Sequence, residues 1–363
     1  MSEEPPAPSG PRTNFRVITV FAAFSIVALF IYLMVVAEAI LLPFVIAVFV
    51  VILLDSLAIR LTKTSFFGRH LPTWAGMTIS ILVFIAGFIF LANLIRSNIA
   101  DVTAALPGYE ENIRSMLDNS LAFFGVRELP SVQELIKQID VGKTLGSTVS
   151  AVAAITGNMM TVLFYIIFIL LEQVTFGKKV KALFQKTDDR KRAQEMIEEI
   201  TKDIQTYIGL KTFVSAITGI FSYGVMAAVG VDFAGFWAVL IFILNFIPYI
   251  GSLVGVAFPA LLTLVQFDSL IPFVVTGTVL TSVQLAVGNL IEPRLMGRSL
   301  NLSPLVILLS LAIFGQIWGV VGMVLSMPFM VIAMIVCANF AATRPVAIIL
   351  SASGDVNKRH PFL

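Results

Sequence analysis

A single cysteine, Cys337, and two histidines, His70 and His360, are all that 363 residues offer in the way of soft metal ligands. One thiol builds no disulfide framework, and this set assembles no Cys/His metal site. Cys337 lies in an apolar run and reads as a small buried hydrophobe. Charge is also scarce: Asp, Glu, Lys and Arg make up 13% of the chain, against about 25% in an ordinary soluble domain. The net charge of +2 gives no reason to expect a nucleic-acid partner. No P-loop, HExxH or GxSxG is present, and the histidines are badly placed for a Ser/His/Asp set. No enzyme, no metal and no cofactor are therefore expected, and without a nucleotide-binding motif the chain does not drive primary transport alone.

What the chain has instead is oil. It is 58% hydrophobic with 30 Phe, its mean hydropathy is +0.96, and several apolar runs approach the length of a membrane span. Continuous runs exclude a β-barrel, which needs short alternating segments. The fold class expected is all-α: a polytopic integral membrane protein with about eight membrane segments. Residues 1–14 read as a disordered cytoplasmic N-terminus. The first run, Val17 to Ala37, ends near an "AEA" that imitates a signal-cleavage site. It exceeds the roughly 7–15 residues of a signal core and reads as a retained span. Spans are expected near 17–37, 39–54, 74–95, 148–171, 208–230 and 270–290.

The connecting segments set the orientation. Arg60, Lys63, Arg69 and His70 fall in the 55–73 loop, and "GKKVKALFQKTDDRKR" lies in a basic loop or helix at 172–207. Both are expected on the cytoplasmic side by the positive-inside rule. The 96–147 segment is then extracytoplasmic. In it Tyr109, Ile113, Met116, Leu117 and Leu121 recur at helical spacing, as do Val132, Leu135, Ile136 and Ile139. Such amphipathic helices lie on membrane lipid or against a neighbouring subunit, so a homo-oligomer is expected.

Residues 208–343 form a core with two interruptions. The apolar stretch 233–265 is broken by "NFIPYIG" at 245–251, where proline removes a backbone donor. Each half reaches only about 22 Å, which predicts a re-entrant helical hairpin. In lipid such a break survives only beside protein or water, and its freed carbonyls and amides are expected to face a solute. "FGQIWGVVG" at 314–322 interrupts 304–340 in the same way. Parity then puts Arg294 and Arg298, and the 344–363 tail, on the cytoplasmic side, and the two breaks are expected to converge near the midplane.

Candidate pathway residues follow from what is costly to bury. Glu292 follows a span carrying Gln284 and Asn289; Gln284, Gly288 and Glu292 are spaced i, i+4, i+8, a slim polar face. The alternative for Glu292 is an ion pair with Arg294 or Arg298. Asn245 and Tyr249 put an amide and a hydroxyl beside Pro248 and Gly251. Gly251 with Gly255, and Gly315, Gly319 and Gly322, read most simply as close-packing positions. Lys211 is expected to snorkel to the interface, and Asp232 to cap the helix from 233 onward.

"NFIPYIGSLVGVAFPALL" (245–262), "GNLIEPRLMGRSLNLSPLVILLSLAIFGQIWGVVGMVLSMP" (288–328) and the basic segment after the fourth span resemble the AI-2E transporter family. The matching motif positions are Asn245, Pro248, Tyr249, Gly251, Glu292, Pro293, Gly297, Pro304, Gly319 and Pro328. The resemblance implies a bacterial cytoplasmic-membrane permease with about eight membrane segments. It further implies export of the quorum-sensing signal autoinducer-2 for some members and sodium(lithium)/proton antiport for others. The leading expectation is a secondary transporter of a small polar solute. The rivals are a monovalent cation/proton antiporter using Glu292, and a non-transporting oligomeric scaffold.

Overall fold

The computed structural model describes residues 12–63, 72–90, 141–184, 186–296 and 301–356, with 93, 94, 97, 98 and 112 as isolated positions. Among these the protein is helical apart from turns and a single bridge between Leu302 and Ser351. Helix α1 spans Arg12–Val36 and α2 Glu38–Lys63, while α3 spans Thr73–Phe90. Long helices α4 (Val141–Leu183) and α5 (Thr187–Val229) follow, then the shorter α6 (Ala234–Leu244) and α7 (Ile250–Gln266). Helix α8 (Leu270–Ala286) runs through a π turn, Val287–Ile291, into α9 (Glu292–Met296). Helices α10 (Pro304–Asn339) and α11 (Arg344–Leu350) are the last of the described helices.

Among the described residues six stretches are long and apolar enough to cross a membrane: Glu38–Thr62, Thr73–Phe90, Met159–Leu183, Thr187–Val229, Leu270–Leu295 and Pro304–Asn339. Shorter apolar helices, Phe24–Val36, Ala234–Leu244 and Ile250–Gln266, stand beside them. The protein is thus an all-α, multi-span membrane protein. The basic stretch after the fourth span is no open loop: α4 continues to Leu183 and α5 begins at Thr187. Most of the 96–147 segment, with its apolar faces, lies outside the described residues. Asn112 within it donates to the Val265 and Gln266 carbonyls at the end of α7, each at 3.1 Å.

Both interruptions are helical hairpins. Helices α6 and α7 pack on each other across a turn at 245–249. A Cβ added at Gly251 would run into the Leu244 carbonyl oxygen. In α10 the break falls at Trp318 (φ −131°, ψ 21°) and Gly319 (φ 59°, ψ −141°). A Cβ at Gly322 would meet the Phe314 carbonyl, and one at Gly315 would stand 3.0 Å from Met323 Cγ. Residues eight apart on a straight helix are about 12 Å apart, so 320–339 doubles back on 304–317. Trp318 is buried at this second tip and donates from Nε1 to the Met34 carbonyl at 3.0 Å.

Helix α5 is the spine. Its 43 residues reach about 65 Å, enough for two separate packing stretches. Met196, Ile200, Ile204, Tyr207 and Ile208 pack with the second hairpin and α11, while Gly219 and Met226 pack with α6 and α8. Both hairpins therefore pack on α5, on successive stretches of it.

The 344–356 tail, unremarkable as sequence, is a clasp. Ser303 donates its amide to the Leu350 carbonyl and Ala352 to that of Asn301, both at 2.9 Å. Asn301 donates from Nδ2 to the Asp355 carbonyl at 3.1 Å and accepts from Ser353 Oγ at 3.0 Å. Ending the chain after Leu350 removes all but the Ser303 bond of these four. At about 0.5–1.5 kcal/mol each, the loss should be roughly 2–4 kcal/mol, read as a lower melting temperature in detergent. An unchanged melt would mean that the clasp carries no stability.

Candidate pathway between the first hairpin and α5

Helix α5 carries Lys211, Ser215, Thr218 and Ser222 at the i, i+4, i+7, i+11 spacing of one helix face. All four are buried, Lys211 at 4% exposure and the others at 0%. Thr218 returns its hydroxyl to the Val214 carbonyl at 2.9 Å. Lys211 and Ser215 instead reach partners on other helices. Lys211 Nζ donates to Glu292 Oε1 at 2.6 Å, and Ser215 Oγ accepts from Asn245 Nδ2 at 3.1 Å. The lysine does not snorkel, since its carboxylate partner is inside the bundle. Glu292 accordingly pairs with Lys211 on α5 and not with Arg294, which is exposed; Arg298 lies outside the described residues.

The π turn makes that pairing geometric. An α-helix turns about 100° per residue, so eight residues would leave Glu292 about 80° out of phase with Gln284. A π turn takes up an extra residue, and the one at Val287–Ile291 brings Glu292 back towards α5. Val287, not Gly288 or Asn289, is the buried residue of this turn. The slim face read from spacing thus keeps Gln284 and Glu292 but turns Gly288 and Asn289 outward.

At the tip of the first hairpin Asn245 and Tyr249 part company. Asn245, at the end of α6, reaches Ser215, whereas Tyr249 is 58% exposed with φ 63°. Much of the donor backbone expected to be free is occupied: the amides of Asn245, Phe246, Ile247, Ile250 and Gly251 donate to carbonyls of α6 and of the turn. The break therefore presents the Asn245 side chain to α5, with those five amides turned inward. Gly255 leaves room for Gln284, whose Nε2 would be 3.5 Å from an added Cβ there. Pro293 is exposed and Pro328 buried in the second hairpin; Pro304 starts α10, where a missing N–H costs nothing. Gly297 lies outside the described residues.

Asp232 does not cap α6. Phe233 holds that position in a left-handed conformation (φ 58°) with no side-chain cap. The Asp232 amide donates to Gln266 Oε1 at 2.8 Å, and Gln266 Nε2 donates to the Gly230 carbonyl at 2.7 Å, so Gln266 fixes the turn. Among the described residues no group of His, Cys, Asp or Glu is placed to hold a metal ion. Ser215, Ser222 and Thr276 escaped the sequence reading; the four-residue face on α5 was its available signal.

A multi-span helical protein with two broken hairpins on a long helix, and an ion pair buried beside them, has the makings of a membrane permease. The sequence pattern of the AI-2E family transporter matches residues 24–342, and the chain belongs to that family. Its members are transporters rather than enzymes. The AI-2 transport protein TqsA of Escherichia coli K12 is 29% identical over 328 residues, covering 89% of this chain and 91% of the relative. A putative transport protein of Haemophilus influenzae is 28% identical over 88% of this chain and 91% of its own length. One from Borreliella burgdorferi is 34% identical over 54% of this chain and 55% of the relative.

Proposed function

We propose that the protein is a secondary transporter of the bacterial cytoplasmic membrane with both termini in the cytoplasm. It moves a small polar solute along the α5 face that carries Lys211 and Ser215, opposite Asn245, Gln284 and Glu292. Autoinducer-2 is the solute suggested by the relative from Escherichia coli. The observation that carries this reading is the Lys211–Glu292 pair, 5% and 24% exposed, in a span where charge is expensive. The homo-oligomer expected from the 99–139 faces belongs to the same reading.

Sodium(lithium)/proton antiport through Glu292 is the second reading, favoured by the partial exposure of that carboxylate. Against it, Lys211 already supplies Glu292 with a tethered cation. The two readings separate in sealed proteoliposomes. Lys211→Met/Glu292→Gln removes both charges together and leaves no ion stranded. Under the solute reading this double variant should keep at least a tenth of the labelled autoinducer-2 flux, and Asn245→Leu should lose more than tenfold. Cation-driven proton movement in the wild type that vanishes in the double variant would replace the solute reading with antiport.

A further inference from the structure

Four buried side-chain atoms among the described residues have no hydrogen-bond partner: Ser222 Oγ, Trp237 Nε1, Thr276 Oγ1 and Gln284 Nε2. All four belong to α5, α6 and α8, the three helices around one seam. Such groups are rarely left unpaired in a packed interior, and each one calls for an explanation. Four on one seam in a membrane, where no solvent compensates from outside, call for a common one.

Their placement follows from the packing. Ser222 stands one turn from Met226 on α5, Thr276 one turn from Leu280 on α8, and Met226 and Leu280 share a buried cluster with Ala238 and Ile241 of α6. Trp237 packs on the same cluster. Gln284 lies one turn beyond Leu280 and sets its amide nitrogen beside Gly255 of the hairpin. The seam thus runs along the first hairpin, away from the Lys211–Glu292 pair. The four side chains carry an amide N–H, an indole N–H and two hydroxyls, and no formal charge. Donors dominate, and what satisfies them is an oxygen acceptor without a counter-charge.

We infer that Ser222, Trp237, Thr276 and Gln284 line a charge-free passage between α5, α6 and α8, held shut in this structure, that opens to water and to a neutral, oxygen-bearing solute. This rests on the transport reading above and extends its path beyond the ion pair. When the first hairpin moves off α5 and α8, the orphaned atoms gain water or solute oxygens, so the unpaired groups favour opening. Closing returns Gly219 to the Ala238 carbonyl, which a Cβ there would approach to 3.1 Å.

The test needs no solute. With Cys337→Ser removing the native thiol, Ser222→Cys and Thr276→Cys are close in size to the residues they replace. Val331→Cys, 1% exposed in a buried cluster with Tyr207, Met327, Met334 and Ile335, is the control. Full-length protein in membrane vesicles is treated with two water-soluble methanethiosulfonates, one neutral hydroxyethyl and one trimethylammonium, and modification is followed by intact mass. Ser222→Cys and Thr276→Cys should react at least tenfold faster than Val331→Cys, and faster with the neutral reagent. Modification at the control rate overturns the passage. Equal or faster reaction with the cation overturns its charge-free character. Because labelling is read apart from flux, reactive cysteines in a protein that moves no autoinducer-2 would leave the passage standing and remove that solute.

Discussion

Glu292→Gln should destabilise the protein by about 3 kcal/mol, and Lys211→Met by about 1–2 kcal/mol. The asymmetry comes from what each change strands. Losing the carboxylate leaves an ammonium whose side chain is 5% exposed, whereas losing the ammonium leaves a carboxylate that is 24% exposed. The double variant Lys211→Met/Glu292→Gln strands neither charge and should recover most of the loss, since a buried pair is often no more stable than its neutral replacement. Melting in detergent, followed by tryptophan fluorescence, measures all three. A double variant as unstable as the two singles summed would show that the pair is not the unit assigned here. The same result decides how transport by Glu292→Gln is read, because a single substitution that unfolds part of the sample lowers flux for a trivial reason.

The second large effect is expected at the tip of the α10 hairpin. Gly319 sits at φ 59°, ψ −141°, where an L side chain is strained by about 1–3 kcal/mol. Gly322→Ala drives its Cβ into the Phe314 carbonyl, and a backbone atom cannot move aside without parting the two arms. That should cost about 3 kcal/mol and reduce the yield of folded protein. Gly224→Ala, exposed and with open space around it, is the matched control and should melt like the wild type. If Gly322→Ala also melts like the wild type, the two arms are not in the close contact described.

The hairpins were legible in the sequence because their causes are local. Proline at 248 and glycines at 251, 319 and 322 interrupt apolar runs, and an interrupted run must turn somewhere. Which atoms the turn would present was not legible. The amides around Asn245 donate to carbonyls of α6 and of the turn, and it is the side chain of Asn245 that hydrogen-bonds across to α5. Spacing placed Gln284 and Glu292 on one face, yet it also placed Gly288 there, because an α-helical count has no means of anticipating a π turn. Lys211 was expected to snorkel to the interface, but the partner it pairs with lies 81 residues away.

By itself, the sequence determined the solvent this protein lives in, the class of fold and the positions at which its helices break. Hydropathy and the backbone limits of proline and glycine act over a few residues and need no tertiary context. Tertiary structure alone decided that both hairpins grip α5, that Lys211 answers Glu292, that the tail clasps residues 301–303 and that four polar atoms are left unpaired on one seam. Each depends on helix phase and on contacts between distant segments, and a packed bundle sets these only when it closes.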